Sequence, residues 1–152
     1  MRKEILEKLE LEKTSPSSVI ISIDKDLNMI PGWHYNPDKD SLYFVEYLEG
    51  MKWFYKQLLM GDSVDNIPGI KGIGIKKAEK LIDPLETLKE MYDLIYDKYS
   101  NVYLCPDDAI LQVGRLLWMR TRPDEIWQPF DEKGYPLMDL DWYSMEEILE
   151  QA

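Results

Sequence analysis

Two pairs of aspartates and one run rich in glycine and lysine have types and spacings that could do chemistry. Asp24 and Asp26 follow the apolar run from Val19 to Ile23. If that run is a strand, alternation points residues i and i+2 to one side, so two carboxylates converge outside its C-terminal end. Hard divalent cations take oxygen ligands of this kind. A solvated turn, which also favours Asp, is the other reading of the same pair. Asp62 and Asp65 lie three residues apart just after a helical pattern. They too can face one way, either to hold a cation or to cap and close a turn through backbone hydrogen bonds. The segment that follows, Gly69 to Gly74, places three glycines between two helical patterns, with Lys71, Lys76, Lys77 and Lys80 in and after it. Glycines allow positive φ and a close approach of backbone N–H groups to phosphate. The next helix adds a positive dipole, and lysines replace the counterions along the phosphates. Such a device holds a phosphodiester backbone and ignores base identity.

Stepwise patterns along the chain supply the elements that must position these groups. Residues 2 to 13 read as an amphipathic helix with Ile5, Leu6 and Leu9 near one face, ended by Pro16. The β-branched run Val19 to Ile23 reads as a strand buried on both faces, as in a parallel sheet. Turn residues dominate Pro31 to Asp40, and Leu42 to Val45 suits either a short strand or a helix start. A helix is expected from 46 to about 60, with Trp53, Phe54, Gln57, Leu58 and Met60 as its stripe and Gly61 as its end. Another is expected from Thr87 to Ser100, burying Leu88, Met91, Tyr92, Ile95, Tyr96 and Tyr99. Pro106 suits the first turn of a third, with Ile110, Val113, Leu116 and Leu117 facing inward. Ser144 and Glu147 form a capping-box pattern that opens a short final helix. The fold class is mainly α with one or two short β-strands.

Composition narrows the function classes. The 152 residues are 45% hydrophobic and 31% charged, a globular balance, with one cysteine and one histidine. Disulfide scaffolds and zinc fingers are excluded. No run approaches the roughly 18 apolar residues of a membrane span and no signal-peptide pattern opens the chain, so a cytoplasmic protein is expected. The net charge of −11 argues against nucleic acid only while it is treated as uniform. Residues 121–152 hold nine acidic and two basic residues, a net of −7, which leaves −4 for residues 1–120. Between Gly69 and Lys80 four lysines face Glu79 alone. Bland readings suit the remaining candidates: His34 as a surface or packing residue, Cys105 as a buried inert thiol, Tyr92, Tyr96 and Tyr99 as core. Arg115, Arg120 and Arg122 suit phosphate contacts or helix-face ion pairs equally well.

The segments Val19 to Leu27 and Gly61 to Ala78 together resemble the C-terminal part of the 5′-to-3′ exonucleases of the flap-endonuclease superfamily. Likeness is nearest to bacteriophage exonucleases and the 5′-nuclease domain of bacterial DNA polymerase I. It extends to Trp53 to Leu59 and, more loosely, to Gly114 to Arg120, covering about residues 18–120. The resemblance implies a helix-hairpin-helix domain with a remnant of a central sheet. It implies that Asp24, Asp26, Asp62 and Asp65 are ligands of the second metal in a two-metal site for Mg²⁺ or Mn²⁺. It implies that Gly69, Lys71, Gly72, Gly74, Lys76, Lys77 and Lys80 hold double-stranded or branched DNA, with K⁺ at the hairpin carbonyls of residues 67–74.

The same resemblance exposes a difference. Family members carry a longer N-terminal half that supplies the first metal's carboxylates, among them a Glu-x-Asp-Asp cluster, together with a helical arch. Here 18 residues precede the matching strand, and no Glu-x-Asp-Asp is among them. The implied organisation is an N-terminal helix over 1–17, the nuclease C-terminal domain over 18–120 and an acidic tail over 121–152. The implied function is phosphodiester hydrolysis with a complementary N-terminal nuclease chain, the chain alone being inactive. Alternatives are a structure-selective DNA-binding module without catalysis, and an acidic interaction or inhibitor protein.

Overall fold

The structure is a computed structural model that describes residues 2–120, 123, 124 and 126–130. The expected final helix and most of the acidic tail lie outside the described residues. The chain is α+β, with α1 (Arg2–Thr14), β1 (Ile20–Ile21), a 3₁₀ turn (Lys25–Met29), β2 (Gly32–Asn36) and β3 (Ser41–Val45). After them come α2 (Tyr47–Met60), α3 (Ile75–Ile82), α4 (Leu88–Ser100) and α5 (Pro106–Leu117). The described residues form two compact units, one up to Met51 and one from Lys52 onward. Each is described by itself.

In the first unit the sheet order is β1-β2-β3, with β1 parallel and β3 antiparallel to β2. Three strands form where one or two were expected, because Gly32–Asn36 pairs despite its turn-like composition. Its aromatic residues alternate across the pleat, and the Asn36 carboxamide closes the following turn by accepting from the Asp38 and Lys39 amides at 3.0 and 3.2 Å. His34 is buried on β2, 2.7 Å by Nε2 from the Ile30 carbonyl and stacked on Tyr43, so the packing reading holds. The strand expected to be buried on both faces is different. Only Ile20–Ile21 pairs, and Val19, Ile21 and Ile23 are 45%, 66% and 62% exposed. Burial of the apolar run would need neighbours that this unit does not supply among its described residues.

The second unit is helical, with Phe54, Tyr55, Leu58, Leu59, Ile82, Met91, Ile95, Tyr99 and Ile110 at its centre. The expected helices are found within a residue or two of their sequence bounds. α4 opens on a complete capping box, Thr87 accepting from the Glu90 amide while the Glu90 carboxylate accepts from the Thr87 amide. Two stripe residues depart from expectation: Tyr96 is 41% and Leu116 67% exposed, each on the outer margin of its helix face. Cys105 is exposed rather than buried, since it stands at the N-cap of α5, outside the apolar stripe. Packing continues past residue 120. Trp127 is buried against Phe54, with ring centroids 5.0 Å apart, and its indole lies over Gly114, where a Cβ would overlap the ring. Among the described residues no helix is long and apolar enough to cross a membrane.

Candidate nucleic-acid and metal site

The hairpin is built on the C-terminal end of α2. That end leaves carbonyls without intrahelical partners, and each of three finds a donor. Gly61 N–H bonds the Gln57 carbonyl at 2.7 Å, the Tyr99 hydroxyl bonds Leu58 at 2.7 Å, and Ile70 N–H bonds Leu59 at 2.8 Å. The third of these ties the hairpin directly to the helix end. Gly61 has φ +69°, and its backbone packs so closely on Ile67 and Gly69 that no side chain fits there.

Between them Asp62 and Ile67 exchange both backbone hydrogen bonds, at 2.9 and 2.8 Å, which closes a tight loop. Within it the Asp62 carboxylate accepts from the Val64 and Asp65 amides through Oδ1, at 2.9 and 3.3 Å. The turn-closing reading of Asp62 is therefore realised. It occupies one oxygen only, and Oδ2 accepts no bond from the described residues. Asp65 is exposed on the same loop, three residues on.

The next turn runs from Ile70 to Ile73, whose amide bonds the Ile70 carbonyl at 3.1 Å. Gly72 has φ +83°, the value demanded of the third residue in such a turn, and Lys71 is exposed beside it. Gly74, with ordinary negative φ, is the N-cap of α3 and makes no side-chain cap, so the first amides of that helix are left for an external acceptor. Ala78 and Ile82 bury one face of α3 while Lys76, Lys77 and Lys80 are exposed on the other. The far end of α3 is held to α2. Lys56 forms an ion pair with Asp83, and Lys52 Nζ donates to the Asp83 carbonyl at 2.9 Å.

Asp24 and Asp26 belong to the first unit. They do not continue a strand, because β1 ends at Ile21 and Asp24 is instead the N-cap of the 3₁₀ turn. The Asp24 amide donates to Ser22 Oγ and its carboxylate accepts from the Asp26 amide, both at 2.9 Å. Each aspartate pair thus has one member committed to the local turn and one further carboxylate beside it.

The matched family model is "5′-3′ exonuclease, C-terminal SAM fold", over residues 50–104. The chain is 33% identical to a 5′-3′ exonuclease of Buchnera aphidicola over 113 residues, 68% of this chain and 39% of that protein. It is 33% identical to one of Halalkalibacterium halodurans over 124 residues, 78% of this chain and 38% of that protein. A shorter stretch of 34 residues, 22% of this chain, is 56% identical to DNA polymerase I of Caldicellulosiruptor bescii, of which it covers 4%. The chain therefore spans well under half the length of these relatives. No solved structure matches it.

Within the segment that matches this family model every lysine and glycine singled out in the sequence for phosphate contact falls on one hairpin and one helix. Their roles differ. Of Gly69, Gly72 and Gly74, only Gly72 needs positive φ, and Gly69 is required because its Cα lies against the Met60 carbonyl. The carboxylate pairs fit a hard cation by donor type, and both Asp24 and Asp62 turn only one oxygen to the backbone. Within each unit, among the described residues, no three His, Cys, Asp or Glu side chains gather as a metal centre. Sequence inspection missed Tyr99, Lys52 and Lys56 as residues that fix the hairpin. Tyr99 carried a signal as part of the α4 stripe. The two lysines carried none, because their partner Asp83 is 31 and 27 positions away.

Proposed function

We propose that this chain is the DNA-binding and divalent-metal-binding C-terminal portion of a 5′-3′ exonuclease, hydrolysing phosphodiesters together with a complementary chain that supplies further carboxylates. The observation that carries the reading is the hairpin of residues 61–82. Its exposed Lys71, Lys76, Lys77 and Lys80 and uncapped α3 N-terminus adjoin Asp62 and Asp65, inside a segment matching the exonuclease C-terminal family. The lysines neutralise phosphates of double-stranded or branched DNA, and the turn amides and helix dipole hold the backbone without reading bases. Hairpin carbonyls of residues 67–74 are the candidates for K⁺.

Asp24, Asp26, Asp62 and Asp65 are the residues that would hold Mg²⁺ or Mn²⁺. Such ions, when bound, offset the charge on the phosphoryl oxygens and lower the pKa of a coordinated water. The chain's own part is positional. The Val64 and Asp65 amides fix the Asp62 carboxylate so that its second oxygen has one direction. A DNA-binding module without hydrolysis is the second reading, favoured by the lack of a third acidic ligand beside either pair among the described residues of each unit.

The decisive assay follows a 5′-labelled duplex with the chain alone and mixed with a chain bearing a Glu-x-Asp-Asp cluster. Mg²⁺-dependent cleavage that appears only on mixing supports the first reading. Duplex binding without cleavage in either case supports the second. Replacing Lys76 and Lys77 together by Ala should lower the salt dependence of duplex binding by about 1 to 2 in logarithmic slope. An unchanged slope removes the hairpin from both readings.

A further inference from the structure

We infer, resting on the DNA-binding reading above and deepening it, that Val64 is a specificity-determining contact: its side chain packs on the face of an unpaired base where a strand leaves the duplex. The position is unusual for its residue type. Val64 lies in the loop closed by Asp62 and Ile67, where turn chemistry favours Gly, Asn, Asp and Ser, and β-branched side chains suit strands instead. Packing gives nothing in return, since Val64 is 90% exposed while Ile73, Ala78 and Ile82 of the same hairpin are buried. A residue that breaks the local rule without gaining contacts serves a contact outside the fold.

The side chain is held in place. The Val64 amide donates to Asp62 Oδ1 at 2.9 Å, and Asn66 turns the chain with φ +56° before Ile67 closes the loop on Asp62. Valine is itself stiff at χ1, so an apolar group fixed in this way loses little further freedom on contact. The loop leaves the end of α2, and the turn of residues 70–73 rests on the same end: Gly69 packs on the Met60 carbonyl, and the Ile70 amide bonds the Leu59 carbonyl at 2.8 Å. Lys71 is exposed on that turn, and Asp62 and Asp65 flank the valine on its loop. DNA whose phosphates lie on the lysines and turn amides therefore brings a nucleotide to the tip of this loop.

Chemistry selects the part of the nucleotide. Phosphate and sugar oxygens gain nothing from two methyl groups, and in a continuous duplex each base face is covered by its stacked neighbours. A base that has left the stack offers a bare π-face. Longer wedges such as Phe, Leu, Ile and Met enter a stacked step and unstack it. Valine is too short for that and rests on a face that is already free. A protein covering the valine would also have to desolvate the two flanking carboxylates, which a planar base touching the methyls alone does not.

The test uses the full chain and two duplexes that carry a single-stranded arm at the 5′ end, one with ordinary nucleotides in the arm and one with abasic nucleotides. Both arms have the same phosphates, so the pair isolates the bases. Wild type should bind the abasic arm about fivefold more weakly, the value of burying one face of an aliphatic side chain. Val64→Ser should bind both arms equally, with the salt slope of wild type and an unchanged thermal melt, because it touches neither the phosphate contacts nor the core. Val64→Ile and, as a control on the outer face of α5, Leu116→Gln should keep the wild-type difference. No difference between the arms in wild type, the same difference in Val64→Ser, or its loss in Leu116→Gln overturns the inference, and leaves the hairpin reading standing where both duplexes are bound with a salt slope that the lysine substitutions lower. No binding of either duplex by wild type overturns both.

Discussion

The Tyr99 hydroxyl donates to the Leu58 carbonyl at 2.7 Å, with the tyrosine 1% exposed, so α4 caps the end of α2 from which the hairpin departs. Tyr99→Phe keeps the ring and leaves a buried carbonyl without its donor, a loss of about 1 to 3 kcal/mol. Chemical denaturation should show a lower midpoint with an unchanged slope. A midpoint equal to wild type would mean that the bond does not support the helix end.

The same residue sets an alkaline limit. Burial, and to a smaller degree Tyr103, push the Tyr99 phenol above its ordinary value of 10.0. Because the folded value is the raised one, the contribution is complete below pH 10 and declines as pH rises past it. Thermal melts from pH 8 to 11 should therefore fall more steeply for wild type than for Tyr99→Phe. Parallel curves would assign the alkaline loss to other groups.

Three hairpin glycines should respond differently to substitution. Gly69→Ala drives a Cβ into the Met60 carbonyl and should prevent native folding of the hairpin. Gly72→Ala meets no neighbouring atom and costs only the strain of positive φ, about 1 kcal/mol. Gly74→Ser, at negative φ and in open space, should be neutral or slightly stabilising through a new cap. Circular dichroism melts of the three variants give the order directly, and equal losses would contradict the geometry.

Asp62 combines a turn with a charge, and the two can be separated. Asp62→Asn retains an oxygen that can accept from Val64 and Asp65, so stability should hold while Mg²⁺ affinity, measured by calorimetry, drops. Asp62→Ala should lose both. Undiminished Mg²⁺ binding by the Asn variant would exclude this carboxylate as a ligand.

Trp127 closes the second unit over Phe54 and Gly114. Trp127→Ala should cost about 3 to 5 kcal/mol, the range for emptying a buried aromatic site. Gly114→Ala should also destabilise, by about 1 to 3 kcal/mol, although alanine is the better helix former, because the ring must move. Urea denaturation of both variants checks the pair, and a stabilised Gly114→Ala would show that the indole does not lie on α5.

At the start of α4, two backbone amides, those of Glu86 and Thr87, hold the Glu90 carboxyl below its ordinary range. A depressed folded value means that the contribution is present above the unfolded value, near pH 4.5, and lost as pH falls through the folded one. Thr87→Ala removes the cap hydroxyl and should cost about 1 kcal/mol at neutral pH, and Glu90→Gln in that variant removes the titrating carboxyl and should shrink the acid dependence. A helix whose acid melting is unaltered in that variant does not rely on the box.

Local signals in the sequence determined much of this protein. Apolar periodicity placed α2, α4 and α5, Pro106 marked the start of one helix and Gly61 the end of another, because these depend on backbone rules that act within a turn or two. The grouping of Lys71, Lys76, Lys77 and Lys80 on one exposed hairpin was legible for the same reason. Tertiary structure decided the rest. It made Gly32–Asn36 a strand by pairing it on both sides, and it left Ile21 and Ile23 exposed although their composition reads as core, since burial depends on which neighbours arrive. It also joined Tyr99 to Leu58, Lys56 to Asp83 and Trp127 to Gly114. Those contacts link positions 41, 27 and 13 apart, and no local pattern encodes which distant partner a side chain will meet.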